Sequence, residues 1–401
     1  MRYYQALLVA LLRVRALVDA NAVVGCNAGS PGGRAMFFAD LMKQATFGNS
    51  TSPGSQNIEL DTKGWPAVAD FTLLLYSESG GGTWYDYPKP DLSGIYTITA
   101  EGCATVSVPN DFGNPAASVL NQSCAGGALL AYLSIAPAGS GSIGLGGKLA
   151  LAFSHSTRAN DYEGAGLEAI SILQPGYPIG TDPDTFTAAA IALFKRCSLI
   201  RYLDWTYYGH AAGVSSTPPT SDDWSKRAHV GDPSYPIPGW GVQGAGIPWE
   251  LAAKLANSAQ ADMWANIPSS ANETRRDEYV TNLIQLLDKL LPPGRKIYLE
   301  FANECMFSNN ACWVSDRLLA NTSILQHGDP YRINMGLPPP NASDEDTQNN
   351  HWTPRFYAYT CMRIAQVAAG VVGRARVGRA DDPGEHCSRI DSVNRLCLAS
   401  T

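Results

Sequence analysis

Charge is scarce in this chain. Only 16% of its residues are Asp, Glu, Lys or Arg, and no dense basic block occurs. The 36 acidic residues exceed the 29 basic ones, which argues against nucleic acid as a partner. No run of 18 apolar residues is present, so the sequence offers no membrane-spanning helix. No His/Cys cluster has zinc spacing, and both a nucleophile elbow and a phosphate loop are missing, so neither a metal nor another cofactor is expected. Gly139-Ser140-Gly141-Ser142-Ile143-Gly144 has the spacing of a dinucleotide fingerprint. Residues 148–153, which follow, read as a strand, where a helix N-terminus would be needed to hold a pyrophosphate. The segment reads as a turn.

What is present is glycine, proline and aromatic surface: 38 Gly, 26 Pro, 9 Trp and 18 Tyr among 401 residues. Such a loop-rich, aromatic composition suits extracellular carbohydrate handling, and the length accommodates two domains or a large barrel with an accessory module. Residues 1–25 read as a secretory signal peptide, with Arg2 ahead of the apolar residues 6–12 and small residues at 20–25 as cleavage candidates. Arg13 and Arg15 interrupt the apolar region, and a misassigned start codon is the alternative. Sequons at Asn49, Asn121, Asn272, Asn321 and Asn341 and a total of 9 cysteines agree with a secreted or cell-wall location. The odd cysteine count leaves at least one unpaired. Cys103 with Cys124 and Cys305 with Cys312 are candidates for local disulfides, buried free thiols being the alternative for each.

Along the chain, residues 55–160 are a succession of short β-rich runs, such as Phe71-Thr72-Leu73-Leu74-Leu75-Tyr76 and Leu129-Leu130-Ala131-Tyr132-Leu133-Ser134-Ile135, separated by Gly, Pro, Asn and Ser clusters. They predict an antiparallel β-sandwich. From about 165 to 380 the rhythm changes to strand–helix alternation. Strands are expected at 169–173, 198–205, 261–268, 296–304 and 375–377, with helices at 185–196, 247–258, 274–291 and 354–369. Repeated βα units specify a parallel sheet or barrel. The expected fold is therefore multi-domain: an N-terminal β-sandwich followed by an incomplete TIM-type (β/α) barrel, with an irregular tail over 381–401.

In such barrels the chemistry sits at the C-terminal ends of the strands. Glu304 ends the 296–304 strand, where a partly apolar rim raises a carboxyl's pKa and lets it protonate a leaving sugar oxygen. A loop-capping role is the alternative. Asn303 suits a sugar hydroxyl. Glu300, four residues deeper, needs a partner, and Arg201 is the obvious one, either as an internal ion pair or reaching up to orient an active-site carboxylate. Asp204 and Trp205 end one strand, and Trp264 and Asn266 another; each tryptophan is suited equally to a sugar face and to the core. His210, Trp224 and Arg227 lie in a long loop between strand and helix.

The ordered motifs Leu60-Asp61-Thr62-Lys63-Gly64-Trp65-Pro66, Leu199-Ile200-Arg201-Tyr202-Leu203-Asp204-Trp205, Trp224-Ser225-Lys226-Arg227, Trp249-Glu250, Ala261-Asp262-Met263-Trp264-Ala265-Asn266-Ile267-Pro268 and Tyr298-Leu299-Glu300-Phe301-Ala302-Asn303-Glu304 resemble a family of secreted proteins labelled glycosyl-hydrolase-like or cellulose-binding-domain. These are similar to distant relatives of the retaining (β/α)8 glycosidase clan. The resemblance, over residues 55–378, implies a β-domain on a catalytic barrel with Glu304 at the acid/base position of the fourth strand. It also implies a nucleophilic Glu on a seventh strand. This chain is expected to stop at the fifth, and Glu345 and Glu385 lie in irregular segments that match no such strand. Cys305-Met306-Phe307 departs from the family's aliphatic-Trp-Asn continuation. The expected function is a glycoside-hydrolase-like protein on a β-linked polysaccharide, with little turnover for want of the second carboxylate. A non-catalytic carbohydrate-binding or adhesion protein is the alternative.

Overall fold

The computed structural model describes residues 24–29, 36–49, 54–55, 58–77, 90–109, 117–137, 148–158, 165–203, 205, 223–235, 246–268, 272–302, 319–320 and 352–377. Of the residues singled out from sequence, Asp204, Asn303, Glu304, Cys305, Cys312, Asn321, Asn341, the tail 381–401 and residues 1–23 of the expected signal peptide lie outside the described residues.

Eight strands build two antiparallel sheets. One has the order β2 (Thr46–Gly48), β3 (Phe71–Ser77), β8 (Lys148–Thr157), β5 (Cys103–Ser107); the other runs β6 (Ala117–Ala125), β7 (Ala128–Ile135), β4 (Gly94–Glu101), β9 (Glu168–Leu173). Alternation makes these strands. In β4 the buried residues are Tyr96, Ile98 and Ala100, and in β7 they are Leu129, Ala131, Leu133 and Ile135. The β6–β7 hairpin turns on Gly126 and Gly127, both at positive φ, the backbone that a two-residue hairpin turn requires. Buried side chains from both sheets form one cluster, within which Phe71 and Phe153 stack at 4.9 Å. The disulfide expected between Cys103 and Cys124 is present, joining β5 to β6.

A separate parallel sheet has the order β1 (Gly25–Asn27), β10 (Leu199–Arg201), β11 (Asp262–Ile267), β12 (Ile297–Phe301), interleaved with helices α1 (Ala188–Phe194), α2 (Trp249–Ala259), α3 (Glu273–Leu290) and α4 (Thr353–Val372). Caps set the helix starts: Thr187 Oγ1 accepts the Ala190 amide at 3.1 Å, and Asn272 Oδ1 that of Arg275 at 3.1 Å. Leu291-Pro292-Pro293 stops α3. Tyr279, Val280, Leu283, Ile284 and Leu287 of α3 join Ile200, Met263, Ala265, Ile267, Ile297 and Phe301 of the strands in a second core cluster. Beyond β12 the expected fifth strand is a single parallel bridge between Ile297 and Val377.

Two expectations are corrected. Residues 169–173 are not the first strand of the parallel unit: they fall within β9, antiparallel to β4. A buried apolar run carries no information on the direction of its partner. The first parallel strand is instead β1, whose Gly25 is the last residue assigned to the signal peptide. The antiparallel unit is therefore inserted between β1 and α1 rather than placed before the parallel unit. A second disulfide, Cys26–Cys197, ties β1 to the residues entering β10.

Asp40 joins the two units' connecting segments. Its Oδ1 accepts the amides of Met42 at 2.9 Å and Ile172 at 2.8 Å. Burial raises its pKa above the ordinary carboxylate value, against the hydrogen bonds from Ile172, Ser171 and Met42 that pull it down. A raised native pKa means that the folded state holds the proton more tightly than the unfolded one. Stability is then lost as pH rises from the ordinary carboxylate range through the native value. Asp40→Asn keeps an Oδ1 acceptor for both amides and removes the buried charge, so it should be neutral or stabilising by up to about 1 kcal/mol at pH 7, with a flatter pH profile. Asp40→Ala strands two amides and should cost roughly 2–3 kcal/mol. Urea unfolding of the two variants between pH 4 and 8 checks the pair.

Candidate functional site

Strand register decides which side chains meet. Asn27, Arg201, Trp264 and Tyr298 align across the parallel sheet, and two residues farther along, Asn266 aligns with Glu300. Side chains two apart share a face, so these residues form a polar layer opposite the apolar face that carries Ile200, Met263, Ala265, Ile297 and Phe301. Asn27, Arg201, Asn266 and Glu300 lie at or next to the C-terminal ends of their strands, with Trp264 and Tyr298 one step deeper.

Its centre is a clamp on Glu300. Arg201 donates from Nε to Oε2 at 2.8 Å and from Nη2 to Oε1 at 2.7 Å. Asn266 Nδ2 donates to the same Oε2 at 2.8 Å and to the Ala302 carbonyl at 2.9 Å. The two charged side chains retain about one-fifth of their exposure, 23% for Arg201 and 18% for Glu300, so the pair is sunk but not sealed. The guanidinium also lies over the Trp264 ring, 5.3 Å from its centroid. Both Glu300 oxygens are thus engaged by donors. This carboxylate anchors the clamp.

Strand β12 ends on a left-handed residue. Ala302 has φ 49°, and its amide donates to the Ile267 carbonyl at 2.8 Å. An alanine held there stores roughly 1 kcal/mol of backbone strain. The Ile267 carbonyl holds the Ala302 amide and the Asn266 amide group holds the Ala302 carbonyl, immediately before Asn303 and Glu304 in the chain. Asn266 is fully buried, and its Oδ1, like the Trp264 indole nitrogen, has no hydrogen-bond partner among the described residues.

The structure brings Arg201, Trp264 and Asn266 together, and it removes Trp205 from the group. Trp205 is completely buried. Its indole nitrogen donates to the Gly29 carbonyl at 3.1 Å, and the ring packs against Phe37, Tyr202 and Phe186. The chain turns after Tyr202, whose carbonyl accepts the Trp205 amide at 3.2 Å. The turn carries the ring into the core where the chain leaves β1, so it offers no face to a sugar.

Sequence reading missed the second cluster. Arg227 lies on the Trp224 ring at 4.4 Å, donates from Nη2 to Glu250 Oε1 at 2.7 Å, and contacts His229 Nδ1 at 2.6 Å. Trp224 meets Tyr279 edge-on. The Tyr279 hydroxyl accepts from Trp249 Nε1 at 2.8 Å, and burial pushes its pKa up to about 12. This cluster pins the long β10–α2 loop to the first turn of α2 and the second turn of α3. The available signal was the pairing of Trp224-Ser225-Lys226-Arg227 with Trp249-Glu250, two motifs that share no local spacing. Asp61 likewise explains its own motif. Its Oδ1 accepts the Lys63 and Trp65 amides, and its Oδ2 meets Arg158 at 2.8 Å, so the segment is a structural turn.

Among the described residues no group of three or more His, Cys, Asp or Glu stands where it could hold a metal ion, and no helix is long and apolar enough to cross a membrane. No protein-family model, curated protein or solved structure matches the chain.

Proposed function

We propose that this is a glycoside-hydrolase-like protein that recognises a β-linked polysaccharide at the C-terminal rim of its parallel strands, with Glu304 in the acid/base position. In this reading the two antiparallel sheets form a β-sandwich, and the parallel unit is the first half of a (β/α)8-type barrel. One observation carries it: three side chains from three successive strands, Arg201, Asn266 and Glu300, lock the end of β12, the strand that runs into Asn303-Glu304. Such rigid support beneath a strand end is what a positioned catalytic or binding carboxyl needs. Trp264 beside it supplies an aromatic face.

Hydrolysis with retention requires a second carboxylate about 5–5.5 Å from the first. Of the described carboxylates, Glu300 is engaged by Arg201 and Glu250 by Arg227, so neither is free for attack, and a non-catalytic binder is the second reading. Pull-down on insoluble β-glucans and reducing-sugar release should be measured for the wild type, Glu304→Gln and Trp264→Ala. Binding should weaken about tenfold in Trp264→Ala. Any turnover should be slow and fall at least about a hundredfold in Glu304→Gln. Turnover indifferent to Glu304 rules out the acid/base role, and binding indifferent to both substitutions moves the site elsewhere. No turnover, with binding that needs Trp264 but not Glu304, selects the binder.

A further inference from the structure

Three sequons fall among the described residues, and two of their asparagines are engaged by the fold. Asn272 Oδ1 caps α3, and the Asn49 carbonyl accepts the Thr72 hydroxyl at 2.9 Å beside β2. Asn121 differs. Together with Gln122 and Ser123 it is exposed, in the middle of β6. The register slips there, from Leu120 opposite Tyr132 to Ser123 opposite Leu130, and Asn121 takes φ 47°. A bulge with one left-handed residue results, a conformation that asparagine tolerates better than most side chains.

Strand β6 is the edge of its sheet. Among the described residues its only ladder partner is β7. After the bulge the edge is closed, because Gln122 Oε1 accepts the Val106 amide at 2.8 Å and Cys124 is bonded to Cys103. Before the bulge, Ala117-Ser118-Val119-Leu120 has no such cover among the described residues, and Leu120 is 39% exposed. The strand carries no charged residue and no proline. The usual protections of an exposed edge against strand addition are therefore missing.

We propose that Asn121 carries an N-linked oligosaccharide, and that this glycan guards the β6 edge against pairing with a second copy of the chain. The Asn121 Nδ2 attacks the anomeric carbon of a polyprenyl-pyrophosphate-linked oligosaccharide. A C–N bond forms, the anomeric C–O bond breaks, the lipid pyrophosphate leaves, and the amide proton passes to a base of the transferase. Ser123 supplies the hydroxyl that completes the sequon.

The test expresses the full chain in a eukaryotic secretory host and maps peptides after enzymatic deglycosylation in heavy-oxygen water. Asn121 should be converted to labelled Asp in most molecules. Ser123→Ala abolishes the sequon yet leaves Asn121 and its left-handed backbone in place, so a change in this variant does not come from the bulge. It should keep the Cys103–Cys124 bond and the far-UV spectrum but associate at least about fivefold faster by light scattering. Adding Leu120→Lys should restore the slow rate. Asn121→Asp, which also suits the left-handed backbone, is the second sequon-free variant should Ser123→Ala misfold. An unmodified Asn121 in chains secreted with Cys103–Cys124 formed overturns the proposal, as does a glycan whose loss leaves association unchanged.

Discussion

Replacing Cys26 and Cys197 together by alanine should lower unfolding free energy by roughly 3–5 kcal/mol, more than the roughly 3 kcal/mol expected for Cys103 and Cys124. The two bonds close loops of very different length, with sequence separations of 171 and 21 residues. Loop-closure entropy grows with the logarithm of length, so the long loop constrains the unfolded chain more. The native side of the balance points the same way. Strand β1 has three residues and, among the described residues, pairs only with β10, so the sulfur bridge carries a large share of what holds it in the sheet. The inserted antiparallel unit has its own core, and it should survive while the parallel unit loosens. Guanidinium unfolding followed by tryptophan emission should therefore show an early phase in the Cys26/Cys197 variant, because Trp205, Trp249 and Trp264 all lie in the parallel unit. A smaller loss than for the Cys103/Cys124 variant, measured under the same conditions, would refute this ranking.

The long bridge also marks where sequence reading reached its limit. Helix α3 was legible because Tyr279, Val280, Leu283, Ile284 and Leu287 repeat at helical spacing between Asn272 and two prolines. Local information is enough for that. Strand β12 was legible as well: its alternation set Glu300 apart from Leu299 and Phe301, and Arg201 was its only obvious counter-ion. By contrast, Gly25-Cys26-Asn27 is three residues long, follows an apolar N-terminal stretch and contains a glycine. Nothing local distinguishes it from a cleavage region. What makes it a strand is pairing with residues 199–201, across the whole inserted unit. Segment 169–173 failed for the converse reason. It is a sound strand, but its partner β4 precedes it by some seventy residues, and the direction of pairing is a tertiary fact. The count of parallel strands nevertheless came out right up to 296–304, because β1 takes the place that 169–173 vacates. Trp205 shows the same division at the level of one ring. Its position just past β10 was readable, whereas the turn that buries it against Phe37 and Phe186 was not. Trp205→Ala is consequently a poor probe of ligand binding, since it would empty a core site.

Glu300→Ala should be the most damaging single change in the candidate site, at roughly 2–3 kcal/mol, between the values for sealed and exposed ion pairs. The residue is about one-fifth exposed, so water replaces part of what the carboxylate gives Arg201 but not all of it. Removing Arg201 as Met leaves Glu300 with Asn266 Nδ2 alone and should cost somewhat less. The double replacement Arg201→Met with Glu300→Leu should be close to neutral, because an ion pair exchanged for apolar volume gives up attraction and desolvation cost together. A double-mutant cycle by urea unfolding reads the coupling directly, and additive losses would show that the two residues do not support one another. The functional consequence separates from the stability one. In the double variant the fold stays intact, yet Asn266 loses the Glu300 oxygen that fixes its amide group, and with it the grip on the Ala302 carbonyl. The strained backbone at Ala302 is then free to relax, and the support under the strand end that precedes Glu304 in the sequence is lost. Polysaccharide binding or turnover should fall in a variant whose stability has returned to that of the wild type. A clamp that served packing alone would leave both unchanged.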